Sequence, residues 1–188
     1  MISSGKKHWG TIVIGGSQSG LATGYYLKKM NEDFVILEAS DNIGQAWTKR
    51  WDSLKLFSPP SFNKLPGWSY PSPKGGPDTK DEMAEYLRAY AEKQDLPVIC
   101  SKRVTAIKKF GFYFSVTTPA DNFTADRVVV ATGAHQFAYI PDFANQINKD
   151  IFQLHSDDYR NPFTLPPGDV LVVGSAISGM QIALELAK

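Results

Sequence analysis

The chain has 188 residues, enough for one domain or slightly more, and its 43% hydrophobic and 21% charged residues are ordinary for a globular protein. Its net charge of +1 gives no indication of a polyanionic partner, so we expect no nucleic-acid binding. The single cysteine, Cys100, excludes an internal disulfide framework and favours a reducing compartment.

The sequence also has no segment typical of membrane targeting. No apolar run approaches the ~20 residues of a membrane span. The N-terminus carries Lys6 and Lys7 without an apolar stretch behind them, unlike a signal peptide. We therefore expect a cytoplasmic protein without a membrane partner.

The first predicted elements surround a glycine-rich turn, GGSQSG, at residues 15–20. The β-branched run at residues 11–14 predicts a buried strand before the turn, and residues 21–29 have the spacing of a helix after it. A second apolar run at residues 34–37 predicts another strand, which ends on Glu38. This order of strand, glycine turn, helix, strand and acid is typical of a dinucleotide-binding unit.

Each part of this unit has a physical role in holding a pyrophosphate. Gly15 lets the chain turn sharply, Gly20 lets the helix pack close to the sheet, and the helix N-terminus directs amides at the phosphates. Glu38 is placed to accept hydrogen bonds from a ribose. Ser17 replaces the middle glycine of the pattern, so that a hydroxyl lies at the point of closest approach. The alternative is a tight turn of the same kind without a ligand.

Residues 41–77 show no helical or strand period and are crowded with proline, glycine, serine and aromatic residues. Their leucine and aromatic content argues against disorder, because such groups need burial. We predict a partly ordered loop that wraps against a flat ligand. Alternatively, its aromatic side chains simply cover the edge of the sheet.

The middle of the chain predicts a helix, a third strand and a small meander. Residues 79–82 have capping-box spacing and open a helix to about residue 94, followed by a third parallel strand at residues 98–100. Alternating segments then predict three antiparallel strands, at residues 104–107, 111–117 and 123–125. A buried strand at residues 127–133 follows and ends in an Ala-Thr-Gly turn on the ligand-binding edge.

A second glycine turn, GSAISG, lies at residues 174–179, after a predicted strand at residues 170–173 and before a predicted helix at residues 180–188. Ala176 replaces its middle glycine. Two such turns suggest two nucleotides, typically a flavin and a nicotinamide. The chain encodes only the first strand, turn and helix of this second unit, so we expect weak nicotinamide binding.

Several motifs, in this order, resemble the N-terminal half of the flavin-containing monooxygenase-like flavoproteins. This group includes bacterial flavoproteins described as cation-transport type and plant indole-pyruvate monooxygenases. The resemblance covers nearly the whole chain. Its motifs are the turn at residues 13–21, the segments 44–47 and 50–56, the triplet 131–133, the sequence HSDDY at residues 155–159 and the turn at 174–179.

The resemblance implies FAD on the first turn, with Glu38 on its ribose and the segment around Trp47 and Arg50 near the flavin or its pyrophosphate. It also implies that NADPH reduces the flavin, which then activates oxygen for transfer to a small-molecule substrate. Because the cofactor carries this chemistry, no catalytic side chain and no metal ligand is assigned. The candidate cofactor-binding residues are Gly15, Gly16, Ser17, Gln18, Ser19, Gly20, Glu38, Ala39, Gly44, Gln45, Ala46, Trp47, Arg50, Val104, Ala131, Thr132, Gly133, Gly174, Ser175, Ala176, Ser178 and Gly179.

The predicted fold is α/β: a three-layer Rossmann-like FAD-binding domain, with a parallel sheet and a small antiparallel meander, plus the start of a second Rossmann unit. We place the FAD-binding part at residues 1–160 and the truncated NADP-binding part at residues 161–188. Two alternatives to a monooxygenase stay open: a catalytically idle nucleotide-binding module, and a flavoprotein reductase without oxygen transfer. Exposed apolar surface also suggests a possible homo-oligomer.

Overall fold

The computed structural model describes residues 7–70, 78–134 and 136–188. The final part of the predicted loop and the candidate loop residue His135 lie outside the described residues. The strands are β1 (His8–Ile14), β2 (Phe34–Leu37), β3 (Val98–Ile99), β4 (Ala106–Phe110), β5 (Tyr113–Thr117) and β6 (Asn122–Val130). The α-helices are α1 (Gln18–Lys29), α2 (Gln45–Thr48), α3 (Lys80–Lys93) and α4 (Ile177–Leu186), and short 3-10 turns occur at Pro60–Phe62, Asp142–Gln146 and Pro162–Thr164.

The six strands form one sheet in the order β3-β2-β1-β6-β5-β4. Strands β3, β2, β1 and β6 are parallel, whereas β6, β5 and β4 are antiparallel neighbours. Strand β6 therefore belongs to both parts of the sheet. It pairs with β1 through Val130 at its carboxyl end and with β5 only from Asn122 to Ala125.

Side-chain alternation along the central strands produces two apolar cores. Val13 and Ile36 lie in the larger core, with side chains from α1 and α3. Ile12 and Val35 lie in the smaller core together with Val116 of β5. Helices α1 and α3 therefore pack on one face of the parallel strands, and the meander contributes to the core on the other face through Val116. This arrangement confirms the predicted three-layer Rossmann-like fold.

Helix α3 begins where the capping box predicts. The Thr79 side chain accepts from the Glu82 backbone amide, and the Glu82 carboxylate accepts from the Thr79 amide at 2.8 Å. Two backbone amides at this helix end are therefore satisfied within the chain.

Two tyrosines of α3 hold the loop in front of it. The Tyr86 hydroxyl accepts from the Leu65 amide at 2.7 Å and donates to the Trp68 carbonyl at 3.0 Å. The Tyr90 hydroxyl donates to the Pro66 carbonyl at 2.6 Å. The Trp68 ring stacks on Tyr86 with 5.3 Å between centroids. The described part of the predicted loop is thus ordered by packing, with only α2 and one 3-10 turn as regular structure.

Two strand predictions are wrong. The segments 123–125 and 127–133 form one continuous strand, β6, which ends at Val130. Val130 is 63% exposed, because β5 does not extend alongside this end of β6 in the described chain. Residues 170–173 form no strand, and Leu171 is 86% exposed. An apolar β-branched run becomes a strand only where a neighbour supplies ladder hydrogen bonds, and no described segment does so here.

Candidate functional site

The first glycine turn lies where three parallel strands end at the same edge of the sheet. The Gly15 amide donates to the Leu37 carbonyl at the end of β2, and the Ala131 amide donates to the Ile14 carbonyl, each at 2.8 Å. The turn, Glu38 and the Ala-Thr-Gly triplet are therefore brought together, as the sequence predicts. This carboxyl edge is the ligand-binding edge of a parallel sheet.

Both outer glycines of the turn are required by its geometry. Gly15 has a φ of +109°, and a Cβ added there would lie 2.4 Å from the Ala131 carbonyl oxygen. A Cβ on Gly20 would lie only 1.7 Å from the Gly15 carbonyl oxygen. Helix α1 consequently starts as close to the strand as the backbone allows, and any side chain at Gly20 would push it away.

The N-terminus of α1 has no side-chain cap. Ser17 occupies the N-cap position, but its hydroxyl donates to the Gln18 side-chain oxygen at 2.9 Å instead of capping the helix. The amides of the first helical turn have no intrahelical acceptor and carry the positive end of the helix dipole. In contrast to the capped N-terminus of α3, the N-terminus of α1 presents N–H groups from which an anion can accept hydrogen bonds.

Both carboxylate oxygens of Glu38 accept backbone hydrogen bonds, and one of these comes from the glycine turn. Oε2 accepts from the Gly16 amide at 2.6 Å, and Oε1 accepts from the Ser40 amide at 2.8 Å. Ala39 lies between these two contacts, and all three residues after β2 are half-buried. Each oxygen keeps a free lone-pair direction, so the carboxylate can accept from hydroxyl groups beside the turn.

Cys100 lies just beyond the end of β3, near enough to Glu38 for the carboxylate charge to change the pKa of its thiol. Burial raises the pKa of the Cys100 thiol, and the negative charge of Glu38 raises it further. A protonated thiol is a poor nucleophile. Burial and the neighbouring carboxylate therefore favour a packing role for Cys100 over a reactive one.

The segment that contains Gly44 and Trp47 folds as the short helix α2 against the turn. Gly44 has a φ of +84°, and a Cβ there would lie 2.7 Å from the Ala84 carbonyl oxygen of α3. The Trp47 indole NH donates to the Gln18 side-chain oxygen at 3.3 Å. This contact places α2 beside the glycine turn, with Gln45 half-buried and Ala46 exposed.

Arg50, predicted as a cofactor contact, forms an ion pair with Asp157, and both side chains are partly buried. Asp157 is therefore held by a charged partner and is not a simply solvated acid. His155 has a structural role, because its Nδ1 accepts from the Asp157 amide at 3.1 Å. Arg50 therefore anchors the HSDDY segment to the loop, and the Asp157 carboxylate compensates its positive charge.

A small cavity of about 220 Å³ opens between the parallel strands and the meander. It contains the predicted site residues Val104 and Thr132, and its wall is mostly apolar. Gly133 follows with a φ of +73° and open space around its Cα. The other lining residues are Ile14, Thr105, Ala106, Ile107 and Val130.

The second glycine turn has the same geometry as the first. Gly174 has a φ of +114°, and a Cβ on Gly179 would lie 2.2 Å from the Gly174 carbonyl oxygen. That Cβ would also lie 3.6 Å from the Val172 side chain, and the equivalent distance in the first turn, from Gly20 to Val13, is also 3.6 Å. Helix α4 starts with Ala176 as its N-cap residue and no side-chain cap. Unlike the first turn, residues 174–177 are exposed.

Several contacts around the site could not be found by sequence reasoning. They are the pairs Arg50–Asp157, Gln18–Trp47, Tyr159–Glu185 and Gln181–Lys55, whose partners lie far apart along the chain. No local spacing marks them. Within the described residues, no three histidine, cysteine or acidic side chains form a group that could hold a metal ion. No described helix is both long enough and apolar enough to cross a membrane.

With this geometry established, comparison with known sequences decides the family. The family described as pyridine nucleotide-disulphide oxidoreductase matches residues 12–188, which include both glycine turns. The chain belongs to the pyridine nucleotide-disulphide oxidoreductase family.

The proteins to which this chain is similar include oxidoreductases and flavin-dependent monooxygenases. It is 46% identical over 177 residues to a protein from Geobacillus kaustophilus named "uncharacterized oxidoreductase CzcO-like", a match that covers 94% of this chain and 51% of that protein. It is 31% identical to the Arabidopsis thaliana protein named "probable indole-3-pyruvate monooxygenase YUCCA9", over 95% of this chain and 44% of that one.

A solved structure gives the same result. The flavin-containing monooxygenase from Stenotrophomonas maltophilia superposes on 96% of this chain with a TM-score of 0.90 and 35% identity. The match covers 55% of that monooxygenase. The predicted resemblance to flavin-containing monooxygenase-like flavoproteins is confirmed. The chain spans about half the length of the curated relatives it matches.

Proposed function

We propose that this chain forms the FAD-binding half of a FAD- and NADPH-dependent oxidoreductase of the monooxygenase type. The observation that carries the proposal is the arrangement of the first turn: an uncapped α1, two glycines that admit no side chain, and Glu38 on the Gly16 amide. Such an edge binds a pyrophosphate and a ribose at the same time. The similarity to flavin monooxygenases supports FAD as the ligand.

The residues present fit a dinucleotide. The first-turn amides of α1 and the Ser17 hydroxyl would hold the pyrophosphate, and Glu38 would accept from the ribose hydroxyls. The cavity at Val104 and Thr132 would take a flat, partly apolar ring such as adenine. We assign the second turn, from Gly174 to Gly179, to the NADPH pyrophosphate, because its geometry repeats that of the first.

When bound, FAD would supply the redox chemistry: NADPH, a proton and O₂ are consumed, one oxygen atom enters a small-molecule substrate, and NADP⁺ and water are formed. The residues of this chain bind and orient the two nucleotides. No side chain is proposed as a covalent nucleophile. A cytoplasmic location is proposed because the single thiol suits a reducing compartment.

A binding-only module is the second candidate. The observation in its favour is the exposure of residues 174–177, together with segment 170–173 ahead of them, which pairs with no strand among the described residues. Within the described residues, a nucleotide bound there would rest on a turn without a supporting sheet. In that case the first turn would hold FAD and the second would contribute nothing to its reduction.

An absorbance experiment separates these functions. The purified protein is scanned before and after addition of FAD, and then after anaerobic addition of NADPH or NADH. A flavin spectrum bleached by NADPH supports the oxidoreductase, and one bleached by neither nucleotide supports the binding-only module. If no flavin is taken up, FAD binding by this chain is refuted.

The first testable prediction concerns Glu38→Gln. An amide offers one acceptor oxygen where the structure uses two, so an NH₂ group would face a backbone donor at Gly16 or Ser40. We expect FAD affinity to fall at least about tenfold, equivalent to about 1.4 kcal/mol, in a titration followed by flavin fluorescence. The control is Glu92→Gln, which removes the same charge from the exposed face of α3. Equal affinity in the two variants would refute the assignment of Glu38.

A further inference from the structure

Helix α4 is docked onto the first domain by two side chains on one of its faces. Gln181 and Glu185 are four residues apart and therefore neighbours on the helix surface. Glu185 accepts from the Tyr159 hydroxyl at 2.8 Å, and the Tyr159 ring is buried in the larger core. Ile182, next to Gln181, is buried in the same core. The position of α4 is thus set by contacts outside its own unit.

Gln181 makes an unusual contact, because its amide group pairs with the backbone of a single residue. Its Nε2 donates to the Lys55 carbonyl at 2.8 Å, and its Oε1 accepts from the Lys55 amide at 3.1 Å. A residue of a neighbouring antiparallel strand would make the same two bonds with its N–H and C=O groups. On the opposite side of this segment, the Leu56 amide donates to the Asp78 carbonyl at 2.7 Å. The segment lies between α4 and the start of α3, with Gln181 as its partner on one side.

This pairing connects the two glycine turns. Gln181 lies two residues after Gly179, which closes the second turn. The Lys55 segment follows Trp51 closely, and the Leu54 amide donates to the Trp51 carbonyl. Upstream, Trp47 contacts Gln18 in the first turn. A series of contacts therefore connects the second glycine turn to the first through the backbone segment around Lys55.

We propose that Gln181 is a positioning residue that holds the second glycine turn in a fixed place relative to the first. The proposal rests on the function proposed above, in which the two turns bind NADPH and FAD. A nicotinamide can pass its hydride to a flavin only when the two rings are in contact, so the relative position of the turns limits the rate. Only a side chain that both donates and accepts can hold Lys55 in this way.

The test compares Gln181→Met, which keeps the length of the side chain but neither bond, with Gln181→Glu, which keeps only the acceptor. The matched control is Gln153→Met, because Gln153 is an exposed glutamine with one bond to a backbone carbonyl, that of Ala144. Hydrogen exchange is measured at the Lys55 amide and across residues 174–180. We expect exchange in both places to rise several-fold in the methionine variant, and at Lys55 much less in the glutamate variant.

A second readout follows the flavin. We expect Gln181→Met to lower the rate of anaerobic flavin reduction by NADPH about tenfold, with FAD affinity unchanged within about twofold and the reoxidation of dithionite-reduced flavin by O₂ unaltered. Exchange at residues 174–180 that equals the control would overturn the proposal, and so would a normal reduction rate despite raised exchange. If NADPH does not bleach the flavin of the unaltered protein, the proposed function fails, while the exchange data still decide whether Gln181 holds the turn.

Discussion

At the scale of single residues, Tyr86 shows how burial makes stability depend on pH. Its hydroxyl bonds Leu65 and Trp68 inside the core, and burial raises its pKa above the ordinary value of about 10. Burial also raises the pKa values of Tyr70, Tyr90 and Tyr159. Because the folded pKa lies above the unfolded one, this stability is complete below pH 10 and is lost as the pH rises further.

We therefore expect Tyr86→Phe to lower the free energy of unfolding by about 1–3 kcal/mol at pH 8, because the Leu65 amide loses its buried acceptor. The deficit should shrink above pH 10, because ionisation of Tyr86 favours the unfolded form of the unaltered protein, whereas the other tyrosines affect both proteins alike. Urea unfolding at pH 8 and pH 10.5 measures both effects. Tyr139→Phe, at a residue that is 82% exposed, serves as the control and should change neither value. A deficit that stays constant with pH would contradict the assignment.

Residues also differ in how well the sequence predicts them. The roles of Gly15, Gly20 and Glu38 follow from local spacing, and the structure brings these residues together as expected. The contacts of Gln181 and Arg50 join residues 126 and 107 positions apart, so they depend on how whole elements pack and leave no local pattern. For the same reason, no local sequence pattern predicts the ion pair between Asp157 and Arg50.

At the scale of elements, the two glycine turns allow a matched comparison. Gly20→Ala places a Cβ against a backbone oxygen in the first turn, and Gly179→Ala does the same in the second. Since backbone cannot move aside cheaply, we expect each substitution to displace its helix and to destabilise the protein by roughly 1–3 kcal/mol. Only Gly20→Ala should abolish FAD uptake.

Flavin absorbance after gel filtration measures the uptake, and thermal unfolding reports the stability. If Gly20→Ala does not fold, a titration of Gly179→Ala with FAD remains informative. The assignment of FAD to the first turn requires this variant to bind FAD with normal affinity. If only Gly179→Ala lost FAD uptake, the assignment of FAD to the first glycine turn would be wrong.

The helices and inner strands could be predicted from the sequence because their signals are local: apolar period, a capping box and terminal lysines. The limits of β6 could not. The break expected near Asp126 does not occur, because β1 pairs with the strand on both sides of that residue. Residues 170–173 form no strand for the opposite reason, because no described segment lies beside them to form ladder hydrogen bonds. Strand formation depends on the partner as much as on the sequence.

At the scale of the whole molecule, α4 and the first domain share one core. Ile182 of α4 is 7% exposed and belongs to the same apolar cluster as Leu21 of α1 and Trp51. The predicted boundary near residue 160 therefore does not separate two cores in this chain. It stays a prediction about function, with FAD binding before it and NADPH binding after it.

This shared core predicts a single unfolding transition. Ile182→Ala should lower the free energy of unfolding of the whole chain by about 2–4 kcal/mol, because it leaves a cavity beneath α4. Leu184→Ala, at a residue that is 63% exposed, should change it by less than about 0.5 kcal/mol. Tryptophan fluorescence and far-UV circular dichroism during urea unfolding test this. If Ile182→Ala left the fluorescence midpoint unchanged, α4 would be an independent unit.

The likeness of the two glycine turns has a consequence for engineering. In each turn the first glycine has a positive φ, 109° at Gly15 and 114° at Gly174, and the last glycine lies against the carbonyl oxygen of the first. Both requirements fall within six consecutive residues, from Gly15 to Gly20 and from Gly174 to Gly179. A redesign of either nucleotide site can therefore change the residues between the two glycines while it keeps the glycines themselves.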